Sequence, residues 1–224
     1  MKNRNCEWAA IFDFDGVIID SSLHHERSWE VISEAEGLRL PKGHFQLSFG
    51  KRNVEIIPNI LNWSQSPVEV KRLSDLKETA FRELVRQQGI QALPGLVEWL
   101  KQLNDGGIPC VIGTATPREN VDCILSMAGL EGYFQDVVAA DDVQKGKPDP
   151  EVFLIAATRA GVTPENCVVF EDTPVGIAAA KAGGMRRVGV LGIHPREAFP
   201  DVDEIVERLD ELSLEKVAGW FAES

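Results

Sequence analysis

The sequence predicts an α/β fold in which a doubly wound parallel sheet carries an all-helical insertion after its first strand. Three observations predict it. Short apolar runs alternate with amphipathic helical patterns, which is how a parallel sheet covered on both faces reads. The polar residues of those runs gather at their carboxyl ends, where open α/β sheets bind ligands. One interval breaks the alternation: from residue 21 to about 91 helix follows helix with no strand between them. That is too long for a loop and too helical for the sheet, so it reads as a separate cap on a Rossmann-like core.

The first strand is expected at residues 9–14, in AAIFDF. The cap is expected over residues 21–91, where HHERSWEVISEAEGL and VEVKRLSDLKETAFRELVRQQG keep a helical period. The alternation resumes at Leu93-Pro94-Gly95, with a helix in GLVEWLKQLNDGG. Further strands are expected at 108–113, 136–140, 167–170 and 187–191, so the core takes residues 1–20 and 92–224. Thr116-Pro117-Arg118-Glu119 reads as a capping box with proline at the first helical position. A similar start recurs at Thr173-Pro174, and Asp149 is the expected cap of the helix after Lys145-Gly146-Lys147-Pro148. Pro148 is expected to keep Lys147 extended.

A formal charge of −12 and a pI near 4.8 argue against a nucleic-acid backbone or an anionic membrane as partner. An anionic small substrate remains compatible with them, because charge in a cleft can oppose the net charge. Cys6, Cys110, Cys123 and Cys167 are scattered, with no CxxC pair and no histidine at zinc-ligand spacing. Cys110 and Cys167 lie in apolar runs and read as buried free thiols. The start MKNRNCEW has no apolar leader and no stretch reaches about 18 apolar residues, so a cytoplasmic location is the expectation. Nothing in the sequence sets an oligomeric state.

Three strand ends and one loop carry the chemistry. AAIFDFDGV sets Asp13 and Asp15 two residues apart, where two carboxylates cost free energy unless a cation, a proton or hydrogen bonds compensate. The second strand ends in Thr114-Ala115-Thr116, and the strand CVVF ends in Glu171-Asp172. Helix starts at Thr116 and Thr173 offer free N–H groups to a phosphate. Lys145 or Lys147 completes the set. One crevice thus offers carboxylates to a cation and amides to an anion.

These stretches resemble the haloacid dehalogenase superfamily of phosphotransferases, in the branch with a helical cap after the first strand, across residues 11–192. The family's first motif, DxDG followed by Val or Thr, stands at Asp13-Phe14-Asp15-Gly16-Val17. The second is Thr114, the third Lys147 before proline, and the fourth the pair Glu171-Asp172. The resemblance implies Asp13 as a nucleophile that forms an aspartyl-phosphate. It implies Mg²⁺ held by Asp13, the Asp15 carbonyl and Asp172, with Glu171 in or near the shell. Asp15 would be the acid–base group. Thr114, the Ala115 amide, Thr116 and Lys147 would hold the phosphoryl oxygens.

Within the superfamily the chain looks like the β-phosphoglucomutase-like branch. His25 and Trp29 stand where that pattern has His and Trp, Lys77 falls on a substrate-binding lysine of the cap, and Gly50 on a glycine facing the site. Where the mutase carries an arginine for the second phosphate this chain has Asn53, with Arg52 one residue off register. That departure favours hydrolysis of a small phosphorylated metabolite, such as a sugar phosphate, over phosphosugar transfer. A catalytically silent phosphate- or partner-binding protein is the third reading, opposed by the intact Asp13, Asp15, Lys147 and Asp172. Dehalogenase chemistry in this superfamily dispenses with the metal and the second aspartate. Taken singly, Lys51, Arg52 and Lys77 read as solvated cap charges, and Trp29, Trp63 and Trp99 as packing residues.

Overall fold

Every strand of the computed structural model, which describes residues 7–48 and 50–222, belongs to one parallel sheet of order β3-β2-β1-β4-β5-β6. Cys6 lies outside the described residues. The strands are β1 (Ala9–Phe12), β2 (Cys110–Gly113), β3 (Asp136–Val138), β4 (Cys167–Glu171), β5 (Arg186–Val190) and β6 (Glu204–Val206). The order reverses direction between β1 and β4, and such a switch point opens a crevice at the strands' carboxyl ends. Phe12 pairs with Phe170 in register, and the next N–H, that of Asp13, donates to the Phe170 carbonyl at 2.9 Å. Asp13 and the Glu171-Asp172 pair therefore leave the sheet side by side.

β1 is buried on both faces, as a central parallel strand must be. Ala10 and Phe12 face one apolar layer and Ala9 and Ile11 the other. On the first face lie α5 (Leu96–Asp105) and α6 (Arg118–Ala128), with Trp99, Leu100, Val121 and Ile124 against the sheet. On the second lie α7 (Glu151–Ala160) and α8 (Pro174–Ala182), with Phe153, Ala156, Ala179 and Ala180. A short helix, Leu214–Gly219, closes the chain.

Between β1 and α5 the chain is helical, through α1 (Ser22–Glu36), α2 (His44–Ser48), α3 (Asn53–Ile56), a π turn at Ile57–Leu61 and α4 (Pro67–Gln88). These elements have a core of their own in which Trp29, Ile32, Ile57, Leu61, Val70 and Leu73 meet. The two connections to the sheet run together: Ile19 bridges Ala92, and Leu93 N–H donates to the Ile18 carbonyl at 2.9 Å. No helix among the described residues is long and apolar enough to cross a membrane. Cys123 and Cys167 are free thiols, and Cys110 and Cys167 are buried.

Three local expectations are corrected. The capping box at Thr116 does not form: α6 starts at Arg118, whose N–H donates to the Asp141 carboxylate at 2.8 Å, while the Thr116 hydroxyl turns to Asp15. The helix after Lys147 begins at Glu151 with Pro150 at its cap position, and Asp149, one residue earlier, accepts from Glu151 N–H at 3.1 Å. A sixth strand, β6, was absent from the pattern. The start at Thr173 forms as expected, with its hydroxyl accepting from Gly176 N–H. The Lys147–Pro148 peptide is cis.

Candidate active site

A cavity of about 840 Å³ lies between the carboxyl ends of β1 and β2 and the helical insertion. Asp13, Asp15, Thr114, Ala115 and Thr116 line it from the sheet, and His25, Gly50, Lys51, Arg52, Asn53, Lys77 and Glu78 from the helices. Lys147, Glu171 and Asp172 cluster around Asp13 without lining the cavity themselves. Lys147 Nζ donates to Asp13 Oδ1 and to Glu171 Oε2, both at 2.7 Å. Lys145, the other candidate, is exposed and pairs with Asp149.

Carboxylate oxygens of Asp13, Glu171 and Asp172 lie within 4.8 Å of one another, all in buried residues. Glu171 is committed to the protein: Oε1 accepts from the N–H groups of Asp172 and Thr173 and from the Thr173 hydroxyl, and Oε2 from Lys147. Asp172 is the reverse, fully buried with neither oxygen hydrogen-bonded among the described residues. Burial, Glu171 and Asp13 push its carboxyl well above the ordinary carboxylate range. Burial and Glu171 also push Asp13 up to about 7, against the pull of Lys147. Burial works against the Lys147 charge, but Asp13 and Glu171 hold its ammonium above its usual value. An orphaned carboxylate in a cluster of hard oxygen donors fits a small divalent cation such as magnesium. Gly16 is part of this cradle: its φ is 81°, and a Cβ there would stand 1.9 Å from Asp172 Oδ2.

Asp15 lives in a different environment two residues on. Oδ1 accepts from the Ser21 hydroxyl and lies 3.3 Å from His25 Nε2, while Oδ2 accepts from the Thr116 hydroxyl. Burial favours its neutral form, but His25 and these hydrogen bonds outweigh that and hold its carboxyl far below the usual range. Two carboxylates on one strand end are thus shifted in opposite directions by their surroundings. Thr116, expected on a phosphate, has its hydroxyl on Asp15 and its N–H on the Thr114 hydroxyl at 3.1 Å.

The insertion residues also differ from the solvated reading. Lys77 is 2% exposed, with Nζ 2.7 Å from His25 Nδ1 and 3.0 Å from Glu78 Oε1. Arg52 donates to the carbonyls of Gln144 at 3.0 Å and Val143 at 3.4 Å, and pairs with Glu55. Asn53 donates to Ser74 and Glu78. Gly50 sits against Thr173 and Val175 at the start of α8. Lys51 lines the cavity with no ion pair among the described residues. Trp29 packs on Trp63 as expected, yet also meets Lys77. Sequence reasoning missed Ser21, Glu78, Arg82 and Asn120. The one signal was Lys77 itself, a charge in the apolar stripe of Val70, Leu73, Phe81 and Val85, which marks a buried partner beside it.

The family model for haloacid dehalogenase-like hydrolases matches residues 9–184. This chain belongs to that family. It is 36% identical over 180 residues to the fructose-1-phosphate phosphatase YqaB of Escherichia coli, covering 80% of this chain and 94% of that one. It is 35% identical over 218 residues to the chloroplastic 5-amino-6-(5-phospho-D-ribitylamino)uracil phosphatase of Arabidopsis thaliana. That match covers 95% of this chain, which spans 58% of the length of that relative. Among solved structures, the β-phosphoglucomutase of Clostridium difficile superposes with a TM-score of 0.84 at 26% identity, covering 96% of this chain and 97% of that one. The hydrolase family, the sheet and the capped relatives agree with the fold that the sequence predicts. Phosphatase names dominate among the relatives, with the mutase beside them.

Proposed function

We propose that this chain is a Mg²⁺-dependent phosphatase of small phosphomonoesters, sugar phosphates foremost, working through an aspartyl-phosphate on Asp13. The observation that carries it is Asp172, a buried carboxylate with two unpartnered oxygens beside the Asp13 carboxylate. Asp13, the Asp15 carbonyl and Asp172 would hold the ion, with Glu171 anchoring Lys147 next to it. Bound there, Mg²⁺ offsets the charge of the carboxylates and of the phosphoryl oxygens.

In the first step an Asp13 oxygen bonds to phosphorus as the bond to the leaving alcohol breaks, and Asp15 gives that alcohol its proton. The incoming phosphate's negative charge raises the proton affinity of Asp15, which prepares it as an acid. In the second step water attacks phosphorus, Asp15 takes its proton, and the acyl-phosphate bond breaks to return Asp13. Thr114, the Ala115 amide and Lys147 hold the phosphoryl oxygens. Residues 21–91 act as the cap and residues 92–224 with 1–20 as the core, so that His25, Gly50, Lys51, Arg52, Asn53 and Lys77 meet the substrate side of the cavity.

Hydrolysis is favoured over transfer by the charges around that cavity. Lys71, Lys77, Arg82 and Arg118 each pair with a carboxylate, Arg52 is turned to the 143–144 carbonyls, and Asn53 supplies no charge, which leaves Lys51 alone among the lining lysines and arginines to meet a second phosphate. The mutase reading is supported by the β-phosphoglucomutase likeness and by His25 and Lys77 at the cavity. A panel of sugar and polyol phosphates assayed for phosphate release, with Mg²⁺ and with EDTA, tests the proposal. Metal-dependent release is expected, and silence across the panel would overturn it. If a trace of β-glucose 1,6-bisphosphate makes β-glucose 1-phosphate isomerise faster than it loses phosphate, the mutase reading replaces hydrolysis.

A further inference from the structure

A carboxylate on the insertion and an amide on the sheet side meet across the crevice with both ends of the amide used. Glu78 on α4 is 6% exposed and Asn120 on α6 is 0% exposed. Asn120 Nδ2 donates to Glu78 Oε2, while Arg82, one turn further along α4, donates from Nη1 to Asn120 Oδ1 at 2.8 Å. Residues four apart on a helix stand on one face, so a single face of α4 grips the amide at its donor and its acceptor. Arg82 is braced in turn by Glu119 at 3.1 Å.

The grip continues towards Asp15. Glu78 Oε1 accepts from Lys77 Nζ and from Asn53, and Lys77 Nζ reaches His25 Nδ1. An ammonium only donates, so Nδ1 accepts and the ring's hydrogen sits on Nε2, facing Asp15 Oδ1. Stacking on Phe81, with centroids 4.2 Å apart, fixes the ring plane. The contacts run from Asn120 through Glu78, Lys77 and His25 to Asp15, leaving the sheet domain and returning to it. With Asn120 withdrawn, Glu78 Oε2 loses its one hydrogen-bond donor among the described residues, and such a buried acceptor disturbs the pair it forms with Lys77.

We propose that Asn120 and Glu78 are positioning residues that make docking of α4 on α6 the condition for presenting Asp15 to the leaving group. This rests on the reading of Asp15 as the acid–base group. Neither residue touches the reacting atoms. Their effect is specific to substrates whose leaving oxygen must be protonated, because alignment of Asp15 is what they control.

The test compares kcat/KM, which reports steps up to P–O cleavage, for two substrates. Fructose 1-phosphate has an alkoxide leaving group that needs the proton, and p-nitrophenyl phosphate has one that departs without it. Asn120→Asp sets two carboxylates against each other across the crevice; it is expected to lower kcat/KM for the sugar phosphate by about tenfold or more and for the aryl phosphate by less than about twofold. Asn120→Ala, which loosens the grip without repulsion, is expected to show the same bias more weakly. Adding Glu78→Gln to Asn120→Asp restores a donor–acceptor pair, since the new amide donates to the new carboxylate, and is expected to recover most of the sugar-phosphate rate. An equal fall on both substrates, no fall, or no recovery in the double variant would overturn the coupling. Asp15→Ala is the control: if it slows both substrates equally, the acid–base reading fails, and the coupling fails with it.

Discussion

Asp15 is an aspartate whose two oxygens are held by Ser21 and His25 at the start of α1 and by Thr116 after β2. Such a residue is placed to move a proton, and Asp15→Ala is expected to lose roughly 10² to 10⁴ in kcat/KM for phosphate release from a sugar phosphate. A loss under about tenfold would remove it from proton transfer. Cys167 stands at the opposite extreme of reactivity. Burial, with Glu165 adding to it, pushes its thiol up to about 12, so it holds almost no thiolate near neutral pH. Iodoacetamide at pH about 8 is expected to label the half-buried Cys123 and spare Cys167 until the protein unfolds, as read by peptide mass spectrometry. Native-state labelling of Cys167 at the rate of the unfolded chain would contradict that environment. The nucleophile candidate and its partners were legible because each motif is a short local pattern, Asp13-Phe14-Asp15-Gly16 and Glu171-Asp172 among them, at the end of an apolar run. Ser21, Glu78 and Asn120 were not, because a serine in a turn and charged or amide residues on helices look alike whether solvated or facing another element.

At the scale of elements, β1, β2, β4 and β5 fall within one residue or a few of the expected runs, since a strand buried on both faces is written as a continuous apolar run. β6 escaped because its three residues, Glu204–Val206, lie at the sheet edge among acidic neighbours. The Thr116 capping box was misread for a related reason: a hydroxyl before a helix serves whichever partner comes nearer, and Asp15 arrives from 101 residues away. The join of β4 to α8 depends on a glycine. A Cβ at Gly176 would stand 1.9 Å from Glu171 Oε2, the oxygen that holds Lys147. Gly176→Ala is expected to destabilise the protein by about 1–3 kcal/mol in urea unfolding and to lower turnover by displacing Lys147. An unchanged midpoint with full activity would mean that Glu171 has room to move.

For the whole molecule, a cation in the proposed site would couple to stability. Without an ion, Asp13 has a folded value of about 7 against an ordinary 3.8, so folding takes up a proton between these values. Its contribution to stability is therefore present below about 4 and is lost as pH rises through about 7. Mg²⁺ competes with those protons, and its stabilisation should grow as they leave. The thermal midpoint is expected to rise more on adding Mg²⁺ at pH about 8 than at about 5.5, by scanning calorimetry. A larger effect at the lower pH, or none at either, would move the cation elsewhere. The cluster itself joins residues 159 positions apart in sequence, Asp13 and Asp172, through the pairing of β1 with β4.

The measurement that bears most directly on this account is chemical trapping of the phosphoryl group. Protein turning over a sugar phosphate with Mg²⁺ is quenched in acid, reduced with borohydride, which converts an aspartyl-phosphate to homoserine, and digested for peptide mass spectrometry. The account predicts homoserine at position 13, and none in Asp13→Asn. Active enzyme that yields no homoserine at 13, or yields it at another carboxylate, would contradict it.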